Sequence, residues 1–159
     1  MNNDISIRLA HPNEHQVLEA LMRRASLANE DDRSALLANP EVIALPIAEI
    51  AAGRVYIAAR GADVVGFANI LIRSNGEIDL DGLFVDPPLW KQGIGRALLE
   101  HCTEVARNRG AAALHVIGNP HAERFYLACG FFSNGLVKTQ FGSGIHMQKY
   151  LVTSWSAHD

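Results

Sequence analysis

A strand, a short loop and the start of a helix bring together the residues best suited to hold a phosphate group. The stretch runs from Leu83 to Leu99 and places Gly93 and Gly95 two residues apart. Glycines let backbone N–H groups approach a ligand closely, and the unpaired donors at a helix start favour anionic oxygens. Lys91 and Arg96 add positive charge at the same turn. A pyrophosphate would fit there, although a glycine-rich connection that binds no ligand is the better explanation of the two glycines taken alone.

Two other phosphate-binding motifs do not fit this stretch. A dinucleotide-binding fingerprint needs a third glycine at the position held by Leu98, and a P-loop needs a Gly-Lys-Ser or Gly-Lys-Thr sequence, which the chain lacks. Two glycines at this spacing are weak evidence on their own. The interpretation therefore depends on a second stretch, further along the chain.

The second stretch runs from Leu114 to Phe131 and combines a strand, the pair Asn119-Pro120, a helix and a closing Gly130. Together with the first stretch it resembles the GNAT superfamily of acyl-CoA-dependent N-acetyltransferases. The first stretch resembles that family's Leu-x-Val-x-Pro strand end followed by the (Arg/Gln)-x-x-Gly-x-(Gly/Ala) loop. The second resembles its Asn-x-x-Ala-x-x-Phe-Tyr-x-x-x-Gly-Phe segment. The motifs cover roughly residues 77–131, and the strand order on either side also fits.

The loop departs from the family pattern at two positions. Trp90 stands where Arg or Gln is usual, and Lys91 stands where a glycine often follows. The backbone donors of the turn are unaffected, but the side-chain contribution to pyrophosphate binding shifts toward Lys91, Gln92 and Arg96. We expect Trp90 to pack against the loop or against a neighbouring subunit.

The resemblance implies how acetyl-CoA would be held. The backbone of Leu83 to Val85 would pair with the pantetheine arm, with the Leu83 N–H directed at the thioester oxygen, where it would stabilise the charge that develops during attack. Alternatively, these are only core strand residues. Asn119 would bond a pantetheine amide, although a helix N-cap is an equally good explanation. The full set of implied cosubstrate contacts is Leu83, Phe84, Val85, Lys91, Gln92, Gly93, Ile94, Gly95, Arg96, Ala97, Asn119 and Tyr126.

The resemblance also implies the catalytic residues. Tyr126 matches the family's general acid, which protonates the departing CoA thiolate, and the motif match favours this role over that of a core aromatic, which its helical spacing would also fit. Asp79 lies where histone-acetylating members carry a catalytic glutamate, and Glu77, Asp79 and Asp81 alternate along one strand face. Repulsion among the three carboxylates would raise the pKa of at least one of them, which suits a base that takes a proton from an ammonium. Alternatively, the three residues form a solvated strand edge. His115 and His121 are weaker candidates and are expected to be structural or exposed.

The expected reaction is transfer of an acetyl group from acetyl-CoA to a primary amine of a small molecule or peptide, by direct attack in a ternary complex. No metal is required, and nearby carboxylates favour a cationic small amine. One alternative is a noncatalytic acyl-CoA sensor or interaction module. Another is a member that acylates tRNA, as some toxins do, which the net charge of −3 disfavours because phosphate contacts need a basic face.

The surrounding elements predict an α+β fold. Strands are expected at 5–9, 55–59, 64–72, 77–85, 112–117, 131–137 and 145–151, and helices at 12–22, around 33–38, at 93–108 and at 119–130. The segment 26–46 is mixed and assigned only loosely. The resemblance implies a mixed, mostly antiparallel twisted sheet of about seven strands, flanked by about four helices, with a splay between strands 4 and 5.

Length and composition set the remaining expectations. The 159 residues suit one domain, 1–159. With 14 Lys and Arg against 17 Asp and Glu, the chain has no global field for nucleic acid or an anionic membrane. No apolar run is long enough to span a membrane, and the first residues lack the basic and apolar regions of a signal peptide. We therefore expect the protein in the cytoplasm. Its two cysteines and seven histidines form no CxxC or HExxH motif, so no metal site is expected. A homodimer is compatible with the family.

Overall fold

The computed structural model describes residues 4–139 and 142–151. The expectation about a leader concerns the start of the chain, and residues 1–3 lie outside the described residues. Helices of five residues or more are α1 (His15–Leu27), α2 (Glu30–Ala38), α3 (Ile47–Ala51), α4 (Ile94–Asn108) and α5 (Glu123–Ala128). The strands are β1 (Ser6–Leu9), β2 (Val55–Arg60), β3 (Asp63–Ile72), β4 (Ile78–Val85), β5 (Ala113–Gly118), β6 (Phe132–Thr139) and β7 (Gly142–Tyr150).

The seven strands form one mixed sheet in the order β1-β2-β3-β4-β5-β7-β6. The pairs β1–β2, β2–β3, β5–β7 and β6–β7 are antiparallel, whereas β4 and β5 are parallel. The β4–β5 register covers three residue pairs, from Ile78 with Leu114 to Leu80 with Val116, although β4 continues to Val85 and β5 to Gly118. The predicted fold class is confirmed, including the splay between strands 4 and 5.

The chain divides into two compact units, Met1–Asn69 with Gly82–Glu100, and Ile70–Asp81 with His101–Asp159. The core of the first unit forms because α1 places Leu18 and Leu21 three residues apart on one helix face. Both side chains are fully buried with Ile57 of β2 and Phe67 of β3. Burying each such side chain contributes roughly 1.5–3 kcal/mol, which makes this packing a main source of the unit's stability.

In the second unit, alternation along the strands separates an apolar sheet face from a polar one. Leu114 and Val116 of β5 are buried, and Ile145 and Met147 of β7 are buried as well. The residues between them, His115 on β5 and His146 on β7, therefore point to the opposite face. This polar face carries part of the candidate site.

The loosely assigned segment contains more helix than the sequence pattern indicates. Helix α2 begins at Glu30 rather than near residue 33, and α3 has no counterpart among the predicted helices. Helix α3 spans only five residues, too few for a helical periodicity to stand out. Among the described residues no single helix is long and apolar enough to span a membrane. The helical segments 32–38 and 40–51 reach that length and hydropathy only when taken together, and the chain bends by 101° between them.

Candidate functional site

The loop before α4 has the backbone geometry of an anion-binding turn. Lys91 has φ +66° and Gly93 has φ +88°, and Lys91 is the only non-glycine residue with positive φ in the described ranges. The Ala97 N–H donates to the Gly93 carbonyl at 3.0 Å, so Gly93 lies at the N-terminal boundary of the helix. The N–H groups of the next three residues have no acceptor within the helix because no earlier turn precedes them. They are available to anionic oxygens.

Three polar side chains project from this turn. Lys91, Gln92 and Arg96 are exposed. Arg96 lies 3.2 Å from Glu100 in an exposed pair one helical turn apart. Surface pairs of this kind stabilise a protein by only about 0–1 kcal/mol, so the guanidinium can leave Glu100 for a phosphate at small cost.

Trp90 is tied to the loop itself. Its indole Nε1–H donates to the Val85 carbonyl at 2.7 Å, and the residue remains 39 % exposed. The same strand end is fixed by a hydrogen bond from the Asp86 N–H to the Val65 carbonyl at 3.0 Å and by an Arg24–Asp86 ion pair at 3.1 Å. Of the two expectations for Trp90, packing against the loop is therefore confirmed.

The strand segment implied to pair with pantetheine contributes at least one side chain to the core. Phe84 packs against Phe67 with ring centroids 5.1 Å apart and borders the buried cluster of the first unit. Gly82 makes room for it, because a Cβ at Gly82 would lie 2.6 Å from the Phe84 ring. Leu83 and Val85 are half-buried. The Phe84 side chain therefore has the core role that the alternative interpretation gave to this segment.

In the second unit, Tyr126 lies on α5 in an aromatic setting. Its ring meets Phe125 and Phe131 edge-on, with centroids 5.1 and 5.5 Å away, and its edge would be 3.3 Å from a Cβ at Gly118. Burial is the main cause that raises the pKa of the Tyr126 hydroxyl, followed by Cys129 and Cys102. The hydroxyl is therefore protonated at physiological pH, as a proton donor must be.

Asn119 occupies the N-cap position of a short 3₁₀ turn, Pro120–Ala122, with Pro120 in the first position. Within the described chain its side chain forms no capping hydrogen bond to that turn. The helix-capping explanation for Asn119 is therefore not supported by a hydrogen bond from its side chain to this turn.

The two carboxylates proposed as bases have different partners. Asp79 accepts two hydrogen bonds from Arg73, at 2.6 and 3.0 Å, and this pairing raises the pKa of the guanidinium. Glu77 accepts from the backbone N–H groups of Ala112 and Ala113 at 3.3 and 3.2 Å, and from the His115 ring at 3.2 Å. Asp79 and Glu77 thus each have hydrogen-bond donors of their own, and the charges of both act on the Arg73 guanidinium.

Two histidines extend the contacts of Glu77 along the polar face. His115 Nδ1 lies 3.1 Å from His146 Nε2, and His146 Nδ1 lies 3.3 Å from the Asn134 amide nitrogen. We call Glu77, His115, His146 and Asn134 the histidine chain. Burial, then His115 and Arg73, lower the pKa of His146, against a smaller opposing effect of Asp79.

The sequence motifs make His115 only a weak candidate and do not single out His146. A signal is nonetheless present, because His146, Gln148 and Tyr150 alternate with the apolar Ile145 and Met147 along one strand. Such alternation marks a strand with one polar face.

Comparison with known proteins gives the family. The acetyltransferase (GNAT) family model matches residues 16–131. No curated protein matches the chain by sequence.

Solved structures share the fold over nearly the whole chain. The PaiA N-acetyltransferase of Thermoplasma acidophilum, in complex with coenzyme A, is 19 % identical, with coverage of 92 % of this chain and 99 % of that one and a TM-score of 0.73. The ribosomal-protein-S18-alanine N-acetyltransferase of Escherichia coli is also 19 % identical, with 98 % and 99 % coverage and a TM-score of 0.70. An aminoglycoside 6'-N-acetyltransferase with coenzyme A is 15 % identical, with 92 % and 97 % coverage and a TM-score of 0.70.

The family model spans well over half of the chain and includes both motifs, from the glycine loop to the Tyr126 helix. The protein therefore belongs to the GNAT acetyltransferase family and is an acyltransferase.

Proposed function

We propose that the protein transfers the acetyl group of acetyl-CoA to a primary amine by direct attack in a ternary complex. The observation that carries the proposal is the loop before α4, where Gly93 at φ +88° precedes backbone N–H groups without helical acceptors. Donors at a helix start, together with the positive end of its dipole, favour phosphate oxygens. Lys91, Gln92 and Arg96 would add side-chain contacts to the pyrophosphate.

The remaining cosubstrate contacts follow the family pattern. The backbone of Leu83, Phe84 and Val85 would pair with the pantetheine arm, and the Leu83 N–H would stabilise the oxygen of the tetrahedral intermediate. Gly95, Ile94 and Ala97 would line the turn, and Asn119 would bond an amide of the arm.

The chemistry requires two proton transfers. The acceptor amine binds as an ammonium and must lose a proton before its lone pair attacks the thioester carbonyl, and the departing CoA thiolate must gain one. In the proposal Tyr126 donates the second proton. The first leaves toward Asp79, Glu77 or water.

The acceptor in this proposal is a small molecule or a peptide, with no nucleic acid or membrane partner. Structural relatives act on chemically different amines, since their names include a ribosomal-protein alanine and an aminoglycoside. Glu77 and Asp79 would favour a cationic acceptor. We further propose that residues 1–159 act as one transferase domain in the cytoplasm.

Acetyl-CoA should raise the melting temperature of the protein by about 5–10 °C at a ligand concentration near 100 times the dissociation constant, because it binds only the folded state. The measurement is a thermal melt of desalted protein with and without ligand. Free adenine without the diphosphate is the control, and it should have little effect. The absence of a shift at millimolar acetyl-CoA would contradict the proposal.

A thiol-release screen with acetyl-CoA then identifies the acceptor. The panel contains polyamines, aminoglycosides, amino acids and peptides with free N-termini, and at least one amine should release CoA thiol above the background of hydrolysis. Acetyl-CoA binding without turnover on any amine would favour the noncatalytic sensor instead.

Asp79→Asn should lower turnover about fivefold at pH 7, less than the usual range for loss of a full general base. The change leaves the Arg73 cation without its carboxylate partner, and its charge then opposes binding of the acceptor as an ammonium. The loss of turnover should become smaller at high pH, because the amine is already neutral there. The measurement is kcat between about pH 6 and 10 with the acceptor from the screen.

Arg73→Gln is the matched control for this change, because it removes the same ion pair but keeps the carboxylate. It should retain most of the activity. An equal and pH-independent loss in both variants would show that Asp79 acts only through the structure of the ion pair.

A further inference from the structure

We infer that the histidine chain conducts the proton of the acceptor amine from His146 through His115 to Glu77, with His146 as the group that contacts the amine. The inference rests on the proposed acetyl transfer and specifies the path by which its first proton leaves. It is carried by the hydrogen-bond geometry of the chain and by its register in the sheet.

The ends of the histidine chain fix the direction of every hydrogen bond in it. A carboxylate oxygen accepts, so we assign the His115 Nε2–H as the donor to Glu77 Oε1 at 3.2 Å. The His115 Nδ1 is then an acceptor and takes the Nε2–H of His146 at 3.1 Å. The amide nitrogen of Asn134 only donates, and it lies 3.3 Å from His146 Nδ1. With these directions, each imidazole donates one hydrogen bond and accepts one.

This arrangement leaves one basic lone pair at the end of the chain, on His146 Nδ1. Its bond to Asn134 is the longest of the three, so an ammonium can replace the amide at the smallest cost. Because the pKa of His146 lies below its ordinary value, the ring is neutral at pH 7 and can accept a proton. The charged groups that act on the ring are Arg73 and Asp79, and Asp79 is paired with His115 in the β4–β5 register.

The transfer consists of three proton shifts, and neither imidazole is charged when they are complete. The ammonium N–H bond breaks and a His146 Nδ1–H bond forms, which leaves the lone pair on the amine. The His146 Nε2 proton moves to His115 Nδ1, and the His115 Nε2 proton moves to Glu77 Oε1. Both histidines finish neutral in the opposite tautomer, and Glu77 finishes as the carboxylic acid. Glu77 is 23 % exposed, so it can return the proton to solvent.

The register of the strands places His146 where the sheet opens. The last pair of the parallel β4–β5 ladder is Leu80 with Val116, and His146 of β7 is paired with Ile117, one residue beyond it. The proposed reaction requires the amine to approach just beyond the end of this ladder. His146 is therefore at the correct level of the sheet to meet the amine.

The two proton-transfer groups lie on opposite faces of the sheet. A Cβ at Gly118 would point at the Tyr126 ring, 3.3 Å away. Ile117, the preceding residue, points to the other face, and its antiparallel partner His146 shares that face. The proposed base and the proposed acid would therefore act from different faces of the sheet, so that neither group has to serve both proton transfers.

The test is the pH dependence of kcat for His146→Gln, which keeps a hydrogen-bonding side chain but has no group that titrates near neutral pH. We expect a loss of about tenfold at pH 7, below the usual general-base range of roughly 10²–10⁴ because solvent can substitute in part. The loss should disappear as the pH approaches the pKa of the amine. Glu77→Gln should show the same profile.

His101→Gln is the matched control, since His101 on α4 is another half-buried histidine, and burial lowers its pKa too. It should keep wild-type kcat at every pH. In the folded wild-type protein, ¹⁵N NMR should find the proton of both His115 and His146 on Nε2.

These measurements distinguish a failure of the proton path from a failure of the proposed function. A wild-type pH profile for His146→Gln, a loss that is constant with pH, or an Nδ1–H tautomer at either histidine would overturn the inference while leaving acetyl transfer intact. A wild-type enzyme that binds acetyl-CoA but acetylates no amine would overturn the proposed function itself.

Discussion

Gly93→Val should remove the stabilisation by acetyl-CoA, with an affinity loss of at least about 100-fold, or more than roughly 2.7 kcal/mol. Gly93 has φ +88°, a conformation that a β-branched residue adopts only at a cost of about 1–3 kcal/mol. The protein leaves open space around a Cβ at this position, since apart from the two residues adjacent in sequence no atom of the described residues lies within 4 Å of it. A substituted loop can therefore keep its fold but either changes its backbone conformation or fills the space intended for the phosphates.

Gly61→Val separates these effects from a general loss of stability. Gly61 lies in the turn between β2 and β3 with φ +61°, and a Cβ there also meets no atom of the described chain within 4 Å beyond its two sequence neighbours. The two variants should lose similar stability, measured by thermal melts without ligand. Calorimetric titration with acetyl-CoA should show normal affinity for the Gly61 variant alone. Normal affinity in the Gly93 variant would show that the loop does not bind the pyrophosphate.

The sequence predicted those parts of the site that are local in the chain. The turn before α4 is one such part, because its glycines, its basic residues and the helix start all lie within a few residues of each other. The positive φ of Lys91 was not predictable, since lysine has no intrinsic preference for that region and the conformation is imposed by the surrounding turn. The same holds for the Trp90 indole, which bonds a carbonyl five residues earlier.

The histidine chain shows why contacts between distant parts of the sequence could not be predicted. Glu77, His115 and His146 are more than 30 residues apart in sequence and meet only because β5 lies between β4 and β7. The alternation of each strand revealed which residues share a face of that strand. It did not reveal which strands are neighbours or how they are registered, and a shift of one residue would turn His146 to the opposite face.

The pairing of Asp79 illustrates the same limit. Three carboxylates at alternate positions suggested mutual repulsion, but Arg73 across the hairpin turn forms a two-point contact with Asp79. The Arg73 N–H also donates to the Glu77 carbonyl at 2.8 Å, which closes this turn and brings the guanidinium beside the strand. The charge balance of the site therefore depends on a turn geometry that the residue types alone did not specify.

Tyr126→Phe should lower turnover by about 10 to 100-fold while the affinity for CoA barely changes, because the proton is needed only after attack. The change keeps the ring and its edge-on contacts with Phe125 and Phe131, so the fold should be unaffected. The measurement combines steady-state kinetics on the acceptor from the screen with calorimetric binding of CoA. Tyr56→Phe on β2 is the control for loss of a phenol hydroxyl elsewhere in the chain, and it should leave kcat unchanged.

The expected size of this loss follows from the acidities of the two groups. A thiol has a pKa of roughly 8.5, so a thiolate is already a fair leaving group, and the general-acid contribution should lie in the lower part of its range. Burial raises the pKa of the Tyr126 hydroxyl further above that of the thiol, which makes the phenol a weaker acid and is a second reason to expect a loss in the lower part of that range. Since the phenol stays protonated, the defect should be constant from about pH 6 to 9, in contrast to the defect of His146→Gln. Unchanged turnover in a folded Phe variant would refute the assignment and leave water as the proton donor.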